Sequence, residues 1–203
     1  MPKLILASSS PRRRELLSML GLEFSIDVSD LDEVIEEGLA PNEVVRQLAS
    51  QKATAVAKRQ PPETSDTLIL AADTIVVLDG RILGKPVDRN EAIEMLSRLQ
   101  GNRHEVFTGV CLIHLPSGRV QSEFERTEVT MAPLLRSEIE HYVDTLEPMD
   151  KAGAYGIQGF GATIIEGITG DYFTVMGLPV RRVSLMLKAQ GIDIVQEARH
   201  PSV

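Results

Sequence analysis

Hydrophobic and polar positions alternate between two periods along this chain, one near 2 and one near 3.6. The longest apolar run is Thr67–Leu78, rich in β-branched residues and closed by the turn pair Asp79-Gly80. It reads as a buried central strand with one polar side chain in its middle, Asp73. A carboxylate in a sheet core is costly unless it is protonated, paired or bound to a metal. Asp73 therefore reads either as a strand-end residue bonded to a turn, or as a general base or metal ligand lining a cleft at a break in the strand.

The other elements follow in order. Lys3–Ala7 is a short strand, and Ser10, Pro11 and Gly21 punctuate a helix as N-cap, first helical residue and stop. Phe24–Val28 alternates like a strand and leads into an acidic loop, Ser29–Glu37. Pro41–Arg59 carries the apolar stripe Val44, Val45, Leu48, Ala49, Ala53, Val56 and Ala57, so it is an amphipathic helix. Lys52 falls on that stripe, where it either snorkels to water or points into a charged cleft. Arg81–Pro86 completes a hairpin after Thr67–Leu78, and a helix capped by Asp88 ends at Gly101. Residues 104–131 read as a long antiparallel hairpin around Pro116-Ser-Gly118. Ser137 caps a predicted helix running to Leu146. Two strands are then predicted, Ala162–Ile168 and Tyr172–Val175, and a last helix from Pro179 to about Gln190. The sum is an α/β chain with a mixed sheet and flanking helices, distinct from a dinucleotide-binding fold because no G-x-G-x-x-G follows the first strand. Residues 1–195 are expected to form one domain, and 196–203 a flexible tail.

Composition narrows the function. The net charge of −8 and aromatic content of 4% disfavour a nucleic-acid surface. No segment approaches the ~18 apolar residues that a membrane helix needs, and the N-terminal run is too short for a signal peptide. The single cysteine, Cys111, lies in an apolar run and reads as a core residue in a reducing, cytoplasmic setting.

Three features carry chemistry. The strand, the serine run Ser8-Ser-Ser10 and the following helix aim backbone N–H groups and hydroxyls at one point, and Arg12 and Arg13 sit in the first helical turn. Cations there oppose the helix dipole, so either an anion rests on them or they form a solvated basic surface. Lys85 lies between Gly84 and Pro86, a placement suited to a phosphate. Asp150–Gly161 holds four glycines in twelve residues, which suits tight turns or close approach to a ligand.

Ser8-Ser-Ser-Pro-Arg-Arg13, Gln51-Lys-Ala53, Ala72-Asp-Thr-Ile-Val76, Gly84-Lys-Pro86 and Asp150-Lys-Ala-Gly-Ala-Tyr-Gly-Ile-Gln-Gly159 together resemble the Maf family of nucleotide pyrophosphatases, in order and over roughly residues 3 to 190. The resemblance implies an elongated mixed sheet in two lobes with a cleft between them, like that of the inosine triphosphate pyrophosphatases. It implies hydrolysis of a nucleoside triphosphate between the α and β phosphates, assisted by Mg²⁺ or Mn²⁺. Arg12, Thr74 and Gln158 match the dTTP/UTP branch rather than the branch acting on 7-methyl-GTP.

On this reading Ser8, Arg12 and Arg13 bind the triphosphate, and Lys52 and Lys85 neutralise the leaving pyrophosphate. Glu33 and Asp73 hold the metal, with Asp73 also placed to accept a proton from water. Thr74 and Gln158 contact the substrate, Gln158 through an amide that suits the O4/N3 edge of a pyrimidine. The family also suggests a homodimer. The rival readings are the 7-methyl-GTP pyrophosphatase of the sister branch and a non-catalytic nucleotide-binding regulator of cell division.

Overall fold

The computed structural model describes residues 2–28, 34–36, 38–61 and 64–197. Its strands are β1 (Lys3–Leu6), β2 (Ser25–Ile26), β3 (Thr67–Leu78), β4 (Arg81–Leu83), β5 (Arg103–Leu115), β6 (Arg119–Met131) and β7 (Ile165–Thr169). Its helices are α1 (Pro11–Met19), α2 (Pro41–Arg59), α3 (Arg89–Leu99), α4 (Arg136–Asp144), α5 (Tyr172–Met176), α6 (Val180–Lys188) and α7 (Ile194–Glu197), with three short 3₁₀ helices between Glu147 and Thr163. The strands form a seven-stranded mixed sheet in the order β2-β1-β3-β5-β6-β7, with β4 also on β3. β1 pairs with β2 and β3 in parallel, while β3–β4 and β6–β7 are antiparallel. The α/β class expected from the pattern is the one observed.

The chain divides into two compact units. The first comprises Met1–Asp73, Thr108–Glu125 and Gly177–Val203. Its core joins α2 to the sheet: Ala49, Ala53 and Val56 pack on Ile69, Ala71, Ile5, Ala7, Cys111 and Ile113. Four alanines in this seam let the helix sit close to the strands. At Gly109 the approach is closer still, since a Cβ there would lie 2.2 Å from the Val45 carbonyl oxygen. Cys111 is fully buried, and burial pushes its thiol pKa up, as suits a core residue.

The second unit comprises Thr74–Phe107 and Arg126–Met176. Its core gathers Val76 and Leu78 of β3, Ile93, Leu96 and Leu99 of α3, Val129 and Met131 of β6, and Ile139, Tyr142 and Val143 of α4. Among the described residues no helix is long and apolar enough to cross a membrane.

Several expectations need correction. β3 runs without a break through Asp73, so the cleft at a strand break is not there. The strand expected over Tyr172–Val175 is the short helix α5. Asp171 caps it, its Oδ2 accepting from the Thr174 amide at 2.7 Å and hydroxyl at 2.8 Å. The strand expected over Ala162–Ile168 is Ile165–Thr169, because residues 159–163 form a 3₁₀ helix. α4 begins after Leu135 rather than Ser137: Glu138 turns back to accept from the Leu135 amide at 2.7 Å. α4 also stops at Asp144, short of Leu146. Phe24–Val28 contributes only Ser25–Ile26 to the sheet, and the last long helix spans Val180–Lys188. Most of the tail expected from 196 onward lies outside the described residues.

Candidate active site

In the first unit the site starts where β1 stops. The Ala7 amide still donates to the Leu70 carbonyl at 2.8 Å, continuing the parallel register Leu6↔Leu70. Continued past the end of β1, that register sets Ser8 beside Ala72, one residue from Asp73 in the middle of β3. Ser8 is 6% exposed, and its Oγ accepts from the Ser10 amide at 3.3 Å and from a guanidinium nitrogen of Arg13 at 3.2 Å. Arg13 also donates from Nε to the Gly177 carbonyl at 2.7 Å. Its guanidinium is therefore held in a fixed place beside the start of α1, where Ser10 serves as N-cap as expected. Arg12, half-buried, is its neighbour in the same first turn.

Strand parity explains Asp73. Ile69, Ala71 and Asp73 alternate onto one face of β3, the face that packs on α2. On α2, Lys52 falls in line with Ala49, Ala53 and Val56. The apolar seam thus ends in a polar pair, and the Lys52 ammonium donates to the Asp73 carboxylate. Both side chains are largely covered, at 16% and 11% exposure. This pairing is what makes a carboxylate tolerable inside an unbroken strand. Of the two readings of Lys52, what is observed is a pairing with Asp73.

Thr74, the next residue of β3, leaves the other face of the strand. Thr74, Lys85 and Gln158 all belong to the second unit. Lys85 is exposed just after β4, and the preceding Gly84 carbonyl accepts from the Gly153 amide at 3.0 Å. That bond ties the Gly84-Lys85-Pro86 segment to the glycine-rich stretch that carries Gln158. Gly153 has φ of +71°, and a Cβ there would press on Val76 at 3.0 Å, so glycine is required at this contact.

Two residues that sequence reasoning did not select organise that stretch. The Glu147 carboxylate accepts from the Phe160 and Gly161 amides and from the Tyr142 hydroxyl, each at 2.9 Å. Tyr142 in turn accepts from the Gly156 amide at 3.1 Å. Burial alone would raise the Glu147 pKa, but these three donors outweigh it and hold the carboxyl below its usual range. The partners lie 13 and 14 residues apart, so no local pattern marks them; the one available signal was a glycine-rich stretch whose N–H groups must find an acceptor.

Glu33 lies outside the described residues. Among those described, no three His, Cys, Asp or Glu side chains stand close enough to form a metal cage. Mg²⁺ with nucleotides is usually held by one or two carboxylates supplemented by substrate phosphates and water, a mode that needs no such cage.

The family model described as "Maf-like protein" matches residues 3–190. The chain belongs to the Maf family. The dTTP/UTP pyrophosphatase of Desulforamulus reducens is 48% identical over 195 residues, covering 96% of this chain and all of that protein. That of Halalkalibacterium halodurans is 51% identical over 193 residues, covering 95% of this Maf chain and 98% of the relative. That of Acetivibrio thermocellus is 49% identical over 200 residues, at 97% and 100% coverage. Among solved structures, the Staphylococcus aureus Ham1 protein aligns with a TM-score of 0.46 at 18% identity, over 80% of this chain and 79% of that one, a likeness too distant to build on.

Proposed function

We propose that this Maf protein hydrolyses dTTP and UTP between the α and β phosphates, releasing the nucleoside monophosphate and pyrophosphate. The observation that carries the substrate assignment is near-complete coverage of dTTP/UTP pyrophosphatases at 48–51% identity. The Lys52–Asp73 pair supports the chemistry.

Phosphoryl chemistry asks mainly for positioning and charge stabilisation. Ser8, Arg12, Arg13 and the N-terminus of α1 are the groups for the triphosphate: the helix end supplies N–H donors and the arginines supply fixed cations. Lys52 and Lys85 offset charge that builds on the departing pyrophosphate. Asp73 accepts a proton from the attacking water, with Lys52 as its paired cation. Thr74 and Gln158 face the nucleoside, where the Gln158 amide can donate and accept together. Asp73, with Glu33, would supply the oxygen donors for Mg²⁺ or Mn²⁺. Such an ion would supply charge neutralisation that the side chains do not complete. A homodimer in the cytoplasm belongs to the same reading.

The test is a panel of canonical and methylated nucleoside triphosphates, with Mg²⁺, with Mn²⁺ and with EDTA, scoring monophosphate and pyrophosphate separately. Metal-dependent pyrophosphate from dTTP and UTP is the expected result. Preference for 7-methyl-GTP would keep the reaction and overturn the role given to Gln158. Nucleotide binding without turnover across the panel would leave a regulator in place of an enzyme.

A further inference from the structure

Gln158 stands in the middle of a stretch whose two ends are fastened to one pair of side chains. Upstream, the Gly156 amide donates to the Tyr142 hydroxyl at 3.1 Å. Downstream, the Phe160 and Gly161 amides both donate to Glu147 at 2.9 Å. Tyr142 and Glu147 are themselves joined by the phenol-to-carboxylate bond. The three links close a ring of bonds around residues 156–161.

The backbone inside that ring has almost no slack. A Cβ on Gly161 would lie 2.0 Å from the Gly156 carbonyl oxygen and 2.7 Å from the Tyr142 hydroxyl. A Cβ on Gly159, at φ +64°, would lie 2.3 Å from a Glu147 carboxylate oxygen. The glycines are there so that main chain can close on Glu147, not to leave the loop loose. Phe160 and Gly161 also sit in the first turn of the 3₁₀ helix Gly159–Thr163, and Gln158 is its N-cap residue without a side-chain cap bond. Glu147 does the capping instead, from a distance in sequence. The other end of Glu147 is anchored too, its carbonyl accepting from Lys151 Nζ at 2.5 Å.

We propose that Glu147, with Tyr142, is the positioning residue for base selection: it fixes the direction in which residues 156–161 present the Gln158 amide to the pyrimidine. This rests on the dTTP/UTP reading given above. Glu147 touches neither phosphate nor water in this account and acts only through the loop. A carboxylate suits the position because all three groups facing it are donors. A glutamine amide would turn one N–H₂ toward an N–H or O–H and break the ring.

The experiment is steady-state kinetics of the wild type, Glu147→Gln and Tyr142→Phe on dTTP, UTP and GTP, with amide exchange on the same proteins. In Glu147→Gln, the ratio of kcat/KM for dTTP to that for GTP should fall at least tenfold. The loss should appear mainly in KM for dTTP and UTP, with exchange speeding up at Phe160 and Gly161. Tyr142→Phe keeps the carboxylate and the core ring, and should shift the ratio the same way by less. An unchanged ratio in Glu147→Gln, or an equal loss of kcat on every nucleotide, would overturn the proposal. Should Glu147→Gln not fold, an unchanged ratio in Tyr142→Phe would overturn it alone. A wild type inactive on all three nucleotides would instead remove the pyrophosphatase reading and the base-selection role with it, which the wild-type control separates from a failure of the loop argument.

Discussion

The Lys52–Asp73 pair yields the sharpest quantitative expectation, because its two members differ in what they can do when the other is removed. Lys52→Met keeps the apolar stem on the α2 stripe and deletes only the ammonium. Asp73 sits in the middle of the central strand β3 at 8% exposure, on a side chain much shorter than that of lysine. Removing one partner of a buried pair costs about 3–5 kcal/mol, whereas surface pairs are worth about 1 kcal/mol or less. At 16% and 11% side-chain exposure this pair belongs near the lower end of the buried range, roughly 3 kcal/mol. For a chain of 203 residues that is a fall in Tm of roughly 6–12 °C.

Asp73→Asn is expected to behave differently. The group that loses its carboxylate is now a lysine with a four-carbon stem, and it can carry its charge outward. About 1 kcal/mol, or roughly 2–4 °C, is the expected loss. The double variant removes the charge conflict altogether, so its cost should fall short of the sum of the singles by about 2 kcal/mol. Urea unfolding near neutral pH, without nucleotide or metal, measures all three with the wild-type m-value as a check on two-state behaviour. Hydrolysis of dTTP by Asp73→Asn should drop by at least about 10² if Asp73 is the base. Equal costs for the two singles, or strict additivity, would refute the argument from side-chain length, and retained activity would remove Asp73 from the chemistry.

Three further outcomes follow from other contacts. Gly109→Ala places a Cβ 2.2 Å from the Val45 carbonyl oxygen and 2.4 Å from its carbon, backbone against backbone; it should cost at least about 3 kcal/mol in urea unfolding, and a variant as stable as wild type would refute the close seating of α2 on β5. His104 is 2% exposed with Nε2 2.6 Å from the Tyr155 hydroxyl, and burial lowers its pKa to about 4. The unfolded chain takes up that proton near pH 6.5 and the folded one only near 4, so stability should fall by roughly 3 kcal/mol as pH drops through this window; an NMR titration giving an ordinary value near 6.5 would refute it. Gln158→Glu should lower turnover of dTTP and UTP while leaving Tm close to wild type, because the side chain is only half-buried; equal rates in the variant would sink the role given to its amide.

What could be read from the sequence, and what could not, divides by the range of the interaction. α2 and β3 were legible to the residue, Pro41–Arg59 and Thr67–Leu78, because each carries a long period that nothing nearby contradicts. The caps at Ser10 and Asp88 were legible for the same reason: both bond to an amide three residues on. Tyr172–Val175 reads as a strand because its β-branched and aromatic residues favour one, while the bonds that decide for a helix come from one aspartate just before it. Asp73 stood out by being wrong for its strand, and the sequence even offered Lys52, but their meeting depends on α2 packing on one face of β3.

Glu147 is the opposite case. It breaks no local rule, sits beside an ordinary proline turn, and has its role assigned by Tyr142 and by two amides in a loop more than ten residues away. A residue that violates its context announces a site, whereas one that satisfies another segment's needs is silent until the fold brings the two together. The glycines of residues 156–161 are the audible half of that arrangement. Their spacing allows main chain to close on a carboxylate, and Gln158 inherits its orientation from the closure rather than from its own contacts.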